Sequence, residues 1–288
     1  MVAFMVFVFG LAVGSFLNAF IYRLELREGL VLTKGKHKPS VMQGRSFCPH
    51  CGHTLAWHDL IPLVSFLLLR GRCRYCKLPI SWQYPLVEIA TALLFVAVFS
   101  LVVENLVKLS FPQMFQIGYL WAIAALLIVI FVYDLKHYLI PDKLLFPAIG
   151  LALLWRGFEQ FGFEISDLFW IWDLGLWISL PFVQAVLAGF GASAFFFAIY
   201  VLSNGRAMGF GDVKLAFLLG LFLGWPSILA ALFFAFCLGA VVGLILIALK
   251  KKGPKSEVPF APFLIAGTAI AFFFGSSIID WYLGLFLV

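Results

Sequence analysis

Long apolar runs separated by short polar breaks organise the chain. Runs at roughly 1–22, 84–104, 115–134, 140–157, 179–203, 212–224, 226–249 and 260–286 predict eight helices. Several of them hold 18 or more residues almost free of charge, the length that crosses a bilayer. The sixth is short and starts at a glycine-rich turn. Gly224-Trp225-Pro226 predicts a tight reversal into the seventh, so the two read as a hairpin. Residues 158–178 are aromatic and acidic, with Trp170, Trp172 and Trp177 around the charges, and read as an interfacial segment rather than a span. One long polar interval, 23–83, interrupts the pattern. The expected fold is an all-α polytopic membrane protein of about eight transmembrane helices. It divides into a first transmembrane helix (1–22), a small domain between the first two spans (23–83) and a transmembrane domain (84–288).

Composition agrees. The chain is 64% hydrophobic and 12% charged, with a mean hydropathy of +1.06. A soluble domain is about 45–50% apolar and about 25% charged. The net charge of +6 is therefore read by its placement, and nothing in it points to nucleic acid. Ten Lys/Arg fall between Arg23 and Trp82, and Lys250, Lys251, Lys252 and Lys255 add a second basic segment. With eight spans, both lie on one side, together with the loops at Lys136 and Arg206. Glu104, Glu159, Glu164, Asp167 and Asp173 lie on the other. The positive-inside rule then predicts cytoplasmic basic loops and both termini outside. Met1–Tyr22 contains no Lys or Arg, the reverse of a signal peptide's basic start, so it reads as a retained helix.

The polar interval carries CPHC at 48–51 and CRYC at 73–76. Paired CxxC hairpins let Cys48, Cys51, Cys73 and Cys76 converge as thiolates on one tetrahedral Zn²⁺. Arg45, Arg72, Arg74 and Lys77 are close enough in sequence to offset the cluster's negative charge. Disulfides or a redox pair are the competing reading, which a reducing cytoplasmic loop disfavours. His50 and His53 could replace a cysteine, although a surface histidine on a hairpin is the plainer reading. A loop of this size buries little core, so a metal staple explains how it folds.

Acids inside spans are costly and tend to face partners or water. Glu88 sits a turn into the second span and could reach the interface. Asp134 closes the third span, and Asp212 follows Gly209-Phe210-Gly211 at the start of the sixth. The glycines allow φ > 0 and close approach of an extended substrate. As plain structure, Asp212 is an N-cap, Asp134 an interfacial acid beside Lys136 or His137, and Asp142 the N-cap of the fourth span. Taken together, Asp134 and Asp212 lie at one membrane edge on separate helices. Two carboxylates sharing a proton can hydrolyse a peptide without a metal or a nucleophilic side chain.

Six stretches in order make the chain similar to the type IV prepilin leader peptidase family. They are GSFLNAFIYRL from Gly14, CPHCG, GRCRYCKLPISWQYPLVE ending at Glu88, YDLKHYLIPD, GFGDVK at Gly209–Lys214, and PFAPFLIAG at Pro259–Gly267. The resemblance implies a bifunctional enzyme of the bacterial inner membrane. Asp134 and the GxGD aspartate Asp212 match the family's catalytic pair, with Gly209, Gly211 and Lys214 in supporting positions. It further implies cleavage of the basic leader of prepilins or type II secretion pseudopilins at the cytoplasmic face. S-adenosylmethionine-dependent N-methylation follows, associated with the cysteine domain. No GxGxxG follows a strand, so no cofactor-binding residues are assigned. His58-Asp59 stand where the family pattern has Glu-Asn. The alternatives are a GxGD protease for other membrane substrates, or a zinc-containing transporter or scaffold whose acids pair with Lys or bind cations.

Overall fold

The computed structural model describes residues 1–31, 44–103, 110–161, 181–206, 208–250, 253 and 258–285. Nine α-helices are found among them: α1 Val2–Arg27, α2 Val64–Leu68, α3 Gln83–Val102, α4 Phe111–His137, α5 Asp142–Phe161, α6 Pro181–Leu202, α7 Phe210–Leu223, α8 Ser227–Ala248 and α9 Ala261–Gly284. No strand is present among the described residues beyond two isolated bridges, Phe47 with Thr54 and Arg72 with Pro79. The acidic aromatic segment expected at the interface lies largely outside the described residues.

Six helices, α1, α3, α4, α6, α8 and α9, are long and apolar enough to cross a membrane. The other two apolar runs fall short. Helix α7 has 14 residues, about 21 Å at 1.5 Å per residue against about 30 Å of hydrocarbon. Helix α5 carries Asp142, Lys143, Arg156 and Glu159 in its 20 residues, with Pro147 inside it. Those charges are engaged: the Arg156 guanidinium donates to the Leu221 and Phe222 carbonyls at 3.1 and 2.6 Å and pairs with Glu159 at 2.9 Å. Arg156 thereby satisfies carbonyls that the last turn of α7 leaves free.

The chain packs as two compact units, Met1–Val129 and Ile130–Val288. In the first, α1 lies against α3 at near backbone contact. A Cβ added to Gly10 would come 2.6 Å from the Ala92 Cα, and one on Gly14 would come 2.7 Å from the Glu88 Cα. Small residues four apart let membrane helices approach this closely. The Asn18 side-chain amide bridges the pair, donating to the Gly14 and Tyr84 carbonyls. Trp121 of α4 stacks on Phe95 of α3 at 4.8 Å and donates to its carbonyl.

In the second unit α6 packs on α7 and α8 on α9. Gly220 lies against Ala188 and Gly189, and Gly267 against the Ala231 carbonyl. The reversal at Gly224 links α7 to α8 as expected, but the two touch little. They are not the paired hairpin the turn suggested: Gly220 brings α7 against α6, and Gly267 brings α9 against α8.

Candidate active site and metal centre

Asp134 sits one turn from the end of α4 and is buried, 5% exposed. Its carboxylate accepts the Ala261 N–H, the first of α9. That donor has no partner within its own helix, so a carboxylate suits it. The other oxygen, Oδ2, is buried and has no hydrogen-bond partner. Tyr133 beside it is fully buried, its ring 4.9 Å from that of His137.

Asp212 occupies the third position of α7 and is 8% exposed. Gly209, not Asp212, is the N-cap residue. The Asp212 carboxylate reaches back to accept the Gly209 N–H, the return half of a capping box. The two aspartates, 78 positions apart in sequence, lie within electrostatic reach of one another in the second unit.

Neither glycine takes the left-handed conformation that its residue type allows. Gly209 has φ −77° and ψ 152°, and Gly211 lies inside the helix; neither is left-handed. What they supply is space. Around Gly209 the nearest atoms to an added Cβ are 3.9 Å away, Asp212 Oδ2 among them, leaving room beside that carboxylate. Gly211 abuts Ile140, where an added Cβ would fall 3.2 Å from the Ile140 Cβ. Lys214, one turn on, pairs with both oxygens of Asp142 at 2.7 and 2.8 Å. The Phe146 and Phe210 rings lie 5.5 and 5.4 Å from its ammonium. Asp142 is thus the first residue of α5 and the partner of Lys214 rather than a cap. Ile140 against Gly211 and Asp142 on Lys214 bind the turn after Asp134 to the first turn of α7.

The cysteine domain belongs to the first unit. Two knuckles of the same design face each other. In one, the Cys48 N–H donates to the His53 carbonyl and the Gly52 N–H to the Cys48 carbonyl. In the other, the Cys73 N–H donates to Leu78 and the Lys77 N–H to Cys73. All four Sγ atoms lie within 4.8 Å of one another, with Cys48 and Cys76 at 3.9 Å. Tetrahedral ligation with metal–sulfur bonds of about 2.3 Å places sulfurs about 3.8 Å apart. The cluster can hold a metal ion. Neither histidine is needed as a ligand, and the His53 ring instead packs at a tilt against Tyr75, centroids 3.7 Å apart.

Asp59 ties the loop between the knuckles to the second of them. It accepts the Arg74 Nε–H at 2.7 Å, the Tyr75 hydroxyl at 3.1 Å and the Ala56 N–H at 3.3 Å. Burial works against its ionisation, but these three donors outweigh burial and hold the carboxyl below its usual range. Glu88 does not reach the interface. It is buried, accepting the Leu63 N–H at 2.9 Å and a bond from the Ser15 hydroxyl, which fastens the loop to α1 and α3.

Two family profiles match the chain in succession. The profile described as Bacterial Peptidase A24 N-terminal domain covers residues 8–102, and that described as Type IV leader peptidase family covers residues 121–244. The chain belongs to the type IV leader peptidase family. Among curated relatives, the prepilin leader peptidase/N-methyltransferase of Aeromonas hydrophila is 36% identical, across 98% of this chain and 94% of its own. That of Legionella pneumophila is 34% identical across 96% and 92%, and that of Pseudomonas aeruginosa 31% across 95% and 91%. No solved structure matches the chain.

In this leader peptidase the motifs quoted from sequence acquire physical contents. The Gly14 stretch and the run ending at Glu88 are two sides of one helix contact. The PFAP stretch supplies the Ala261 N–H to Asp134, a role no residue type in it signals. The Asp142–Lys214 pair was also missed, since its members lie 72 positions apart.

Proposed function

We propose that the chain is a membrane aspartic endopeptidase that removes the leader of type IV prepilins or type II secretion pseudopilins, with Asp134 and Asp212 as its catalytic pair. The relatives are named for both leader cleavage and N-methyl transfer, and this chain performs both. One observation carries the catalytic assignment. Two buried aspartates from separate helices lie within electrostatic reach of one another, with an unpartnered carboxylate oxygen on Asp134 and no side chain at Gly209 beside Asp212.

In this chemistry one ionised carboxylate takes a proton from water, whose oxygen attacks the scissile carbonyl carbon. The second, protonated carboxyl gives its proton to the carbonyl oxygen. The gem-diol then collapses: the nitrogen takes the proton held by the first carboxyl as the C–N bond breaks, and a diol hydroxyl gives its proton to the second, so that one carboxyl is again protonated for the next cycle. The Ala261 and Gly209 N–H groups hold each carboxylate by one oxygen. Lys214, Gly209 and Gly211 support the pair: Lys214 through Asp142, Gly211 through Ile140, and Gly209 by leaving room beside the Asp212 carboxylate.

Cys48, Cys51, Cys73 and Cys76 would hold a structural Zn²⁺, whose tetrahedral bonds cross-link the two knuckles; the sulfur spacing favours this. Residues 23–83 form the metal-holding, methylation-associated domain, and 84–288 the peptidase domain. S-adenosylmethionine supplies an electrophilic methyl group to the new N-terminal amine. A pocket beside Cys73, lined by Arg70, Arg72 and Lys77, is cationic and does not fit a sulfonium, so no methyl-transfer step is routed through it.

We place the protein in the bacterial inner membrane with eight passes, both termini outside and the aspartates at the cytoplasmic face. Basic residues in the loop at 44–80, Lys136 and Lys143 on either side of the turn at 138–141, and Arg206 support this orientation. An even count is kept if α5 and α7 pass together with a partner helix covering their charges. The test is incubation of a prepilin with Asp134→Asn and Asp212→Asn proteins that still insert. Each should leave the leader in place; normal removal by either sinks the catalytic assignment.

A further inference from the structure

The cysteine domain carries a second site that the peptidase chemistry does not use. Leu69, Arg70, Arg72, Cys73 and Lys77 line a pocket of about 370 Å³. Its three cations have no acid partner among the described residues. Offsetting the thiolates is not enough to explain them. Between Gly29 and Val87 the sequence has eight Lys/Arg and one acid, Asp59, which Arg74 already occupies. A metal held by four thiolates adds two negative charges and leaves a clear excess of positive charge.

The backbone makes the same point. Arg70 has φ 52° and Lys77 φ 60°, a conformation uncommon for residues with side chains. Lys77 holds the place that Gly52 (φ 73°) holds in the first knuckle. Glycine would serve the turn, yet a cation stands there.

The surroundings select the anion. On the same segment Leu67, Leu68 and Trp82 are 72%, 78% and 71% exposed. Phe66 packs on Trp82 at 5.2 Å, tying α2 to the start of α3. Helix α3 is long and apolar enough to cross the membrane, and Lys77 precedes its first residue by six positions, about 20 Å at full extension. Exposed leucines and a tryptophan beside cations, tethered this close to a span, match a bilayer interface.

We propose that Arg70, Arg72 and Lys77 bind the phosphate of an anionic phospholipid headgroup while Leu67, Leu68 and Trp82 enter the interface, so that the cysteine domain rests on the membrane surface. This holds whether or not the catalytic assignment above stands.

The test uses the full chain in nanodiscs of phosphatidylcholine alone, or of phosphatidylcholine and phosphatidylglycerol in about equal amounts. The readout is amide hydrogen exchange over residues 64–82. Phosphatidylglycerol should slow exchange at least about tenfold, from three basic residues at an anionic surface. The effect should fade with added salt and be lost in R70Q/R72Q/K77Q. It should persist in R70K/R72K, with metal content unchanged in both variants. No slowing by phosphatidylglycerol, no salt dependence, or equal slowing in the triple variant overturns the proposal. Equal slowing by inorganic phosphate in phosphatidylcholine discs assigns a soluble phosphate instead and overturns the lipid. Should the triple variant lose its metal, the salt dependence of the unmodified protein decides.

Discussion

The contacts around Asp212 divide its two glycines by role. Gly209→Ala makes only ordinary van der Waals contacts, at 3.9 Å, so stability should fall by at most about 1 kcal/mol as the N-cap changes. The new methyl group would nevertheless stand beside the carboxylate, where substrate enters under the proposed catalytic assignment. Its kcat/KM for prepilin should drop, and an unchanged value would remove Gly209 from the substrate path. Gly211→Ala instead pushes on Ile140, in the turn that follows Asp134. Small displacements of paired groups cost up to about a hundredfold in rate. Its loss should therefore appear in kcat with KM nearly constant.

Asp142→Asn and Lys214→Met test the ion pair between those same segments. Both side chains are partly exposed, so solvent screening limits their coupling to about 0.5–1 kcal/mol in a double-mutant cycle on unfolding. If the pair acts by holding the two turns together, the double variant should be no slower in leader cleavage than the worse single one. Asp59 offers a pH test. Its carboxyl is lowered in the folded protein, so its stabilising contribution is full above the ordinary carboxylate range. That contribution is lost as pH falls through the lowered value. Proteolysis of the loop should rise in acid in the native protein. In Asp59→Asn it should be raised already at neutral pH and depend less on pH.

Among the helices, the α1–α3 contact depends on Gly10 and Gly14, where the nearest atoms to an added Cβ are backbone and cannot swing aside. Gly14→Ala should cost about 1–3 kcal/mol by overpacking, read as a loss of resistance to unfolding in detergent. Gly150→Ala, which meets nothing within 4 Å, is the matched control. The spacing Gly10-Leu11-Ala12-Val13-Gly14 was present in sequence as a small-residue pair. What it did not carry was the partner, because α3 shows no glycine of its own at the contact. Conversely, the turn at Gly224 was plain, but which helices α7 and α8 would pack on was not. A turn fixes connection, and packing follows complementary surfaces.

For the molecule in its membrane, the sequence made the positions of the apolar helices legible, although six of them, not eight, are long and apolar enough to cross. It did so because a bilayer allows few backbone solutions, and a long uncharged run has to be helical. The paired CxxC spacing likewise carried the four-cysteine cluster by itself, since each knuckle is a local turn that needs only its own few residues. Topology reporters at the loops around Arg206 and Lys136 should both read cytoplasmic, and opposite readings would break the eight-pass arrangement. The two acids were visible as exceptions to the apolar pattern, and their rarity was the signal. It took the folded chain to make Asp212 a third-position acid reaching back to Gly209, to rest Asp134 on the first N–H of α9, and to give Asp142 to Lys214. Those partners lie far apart in the chain, and nothing in a residue's neighbours says which distant backbone group will arrive beside it.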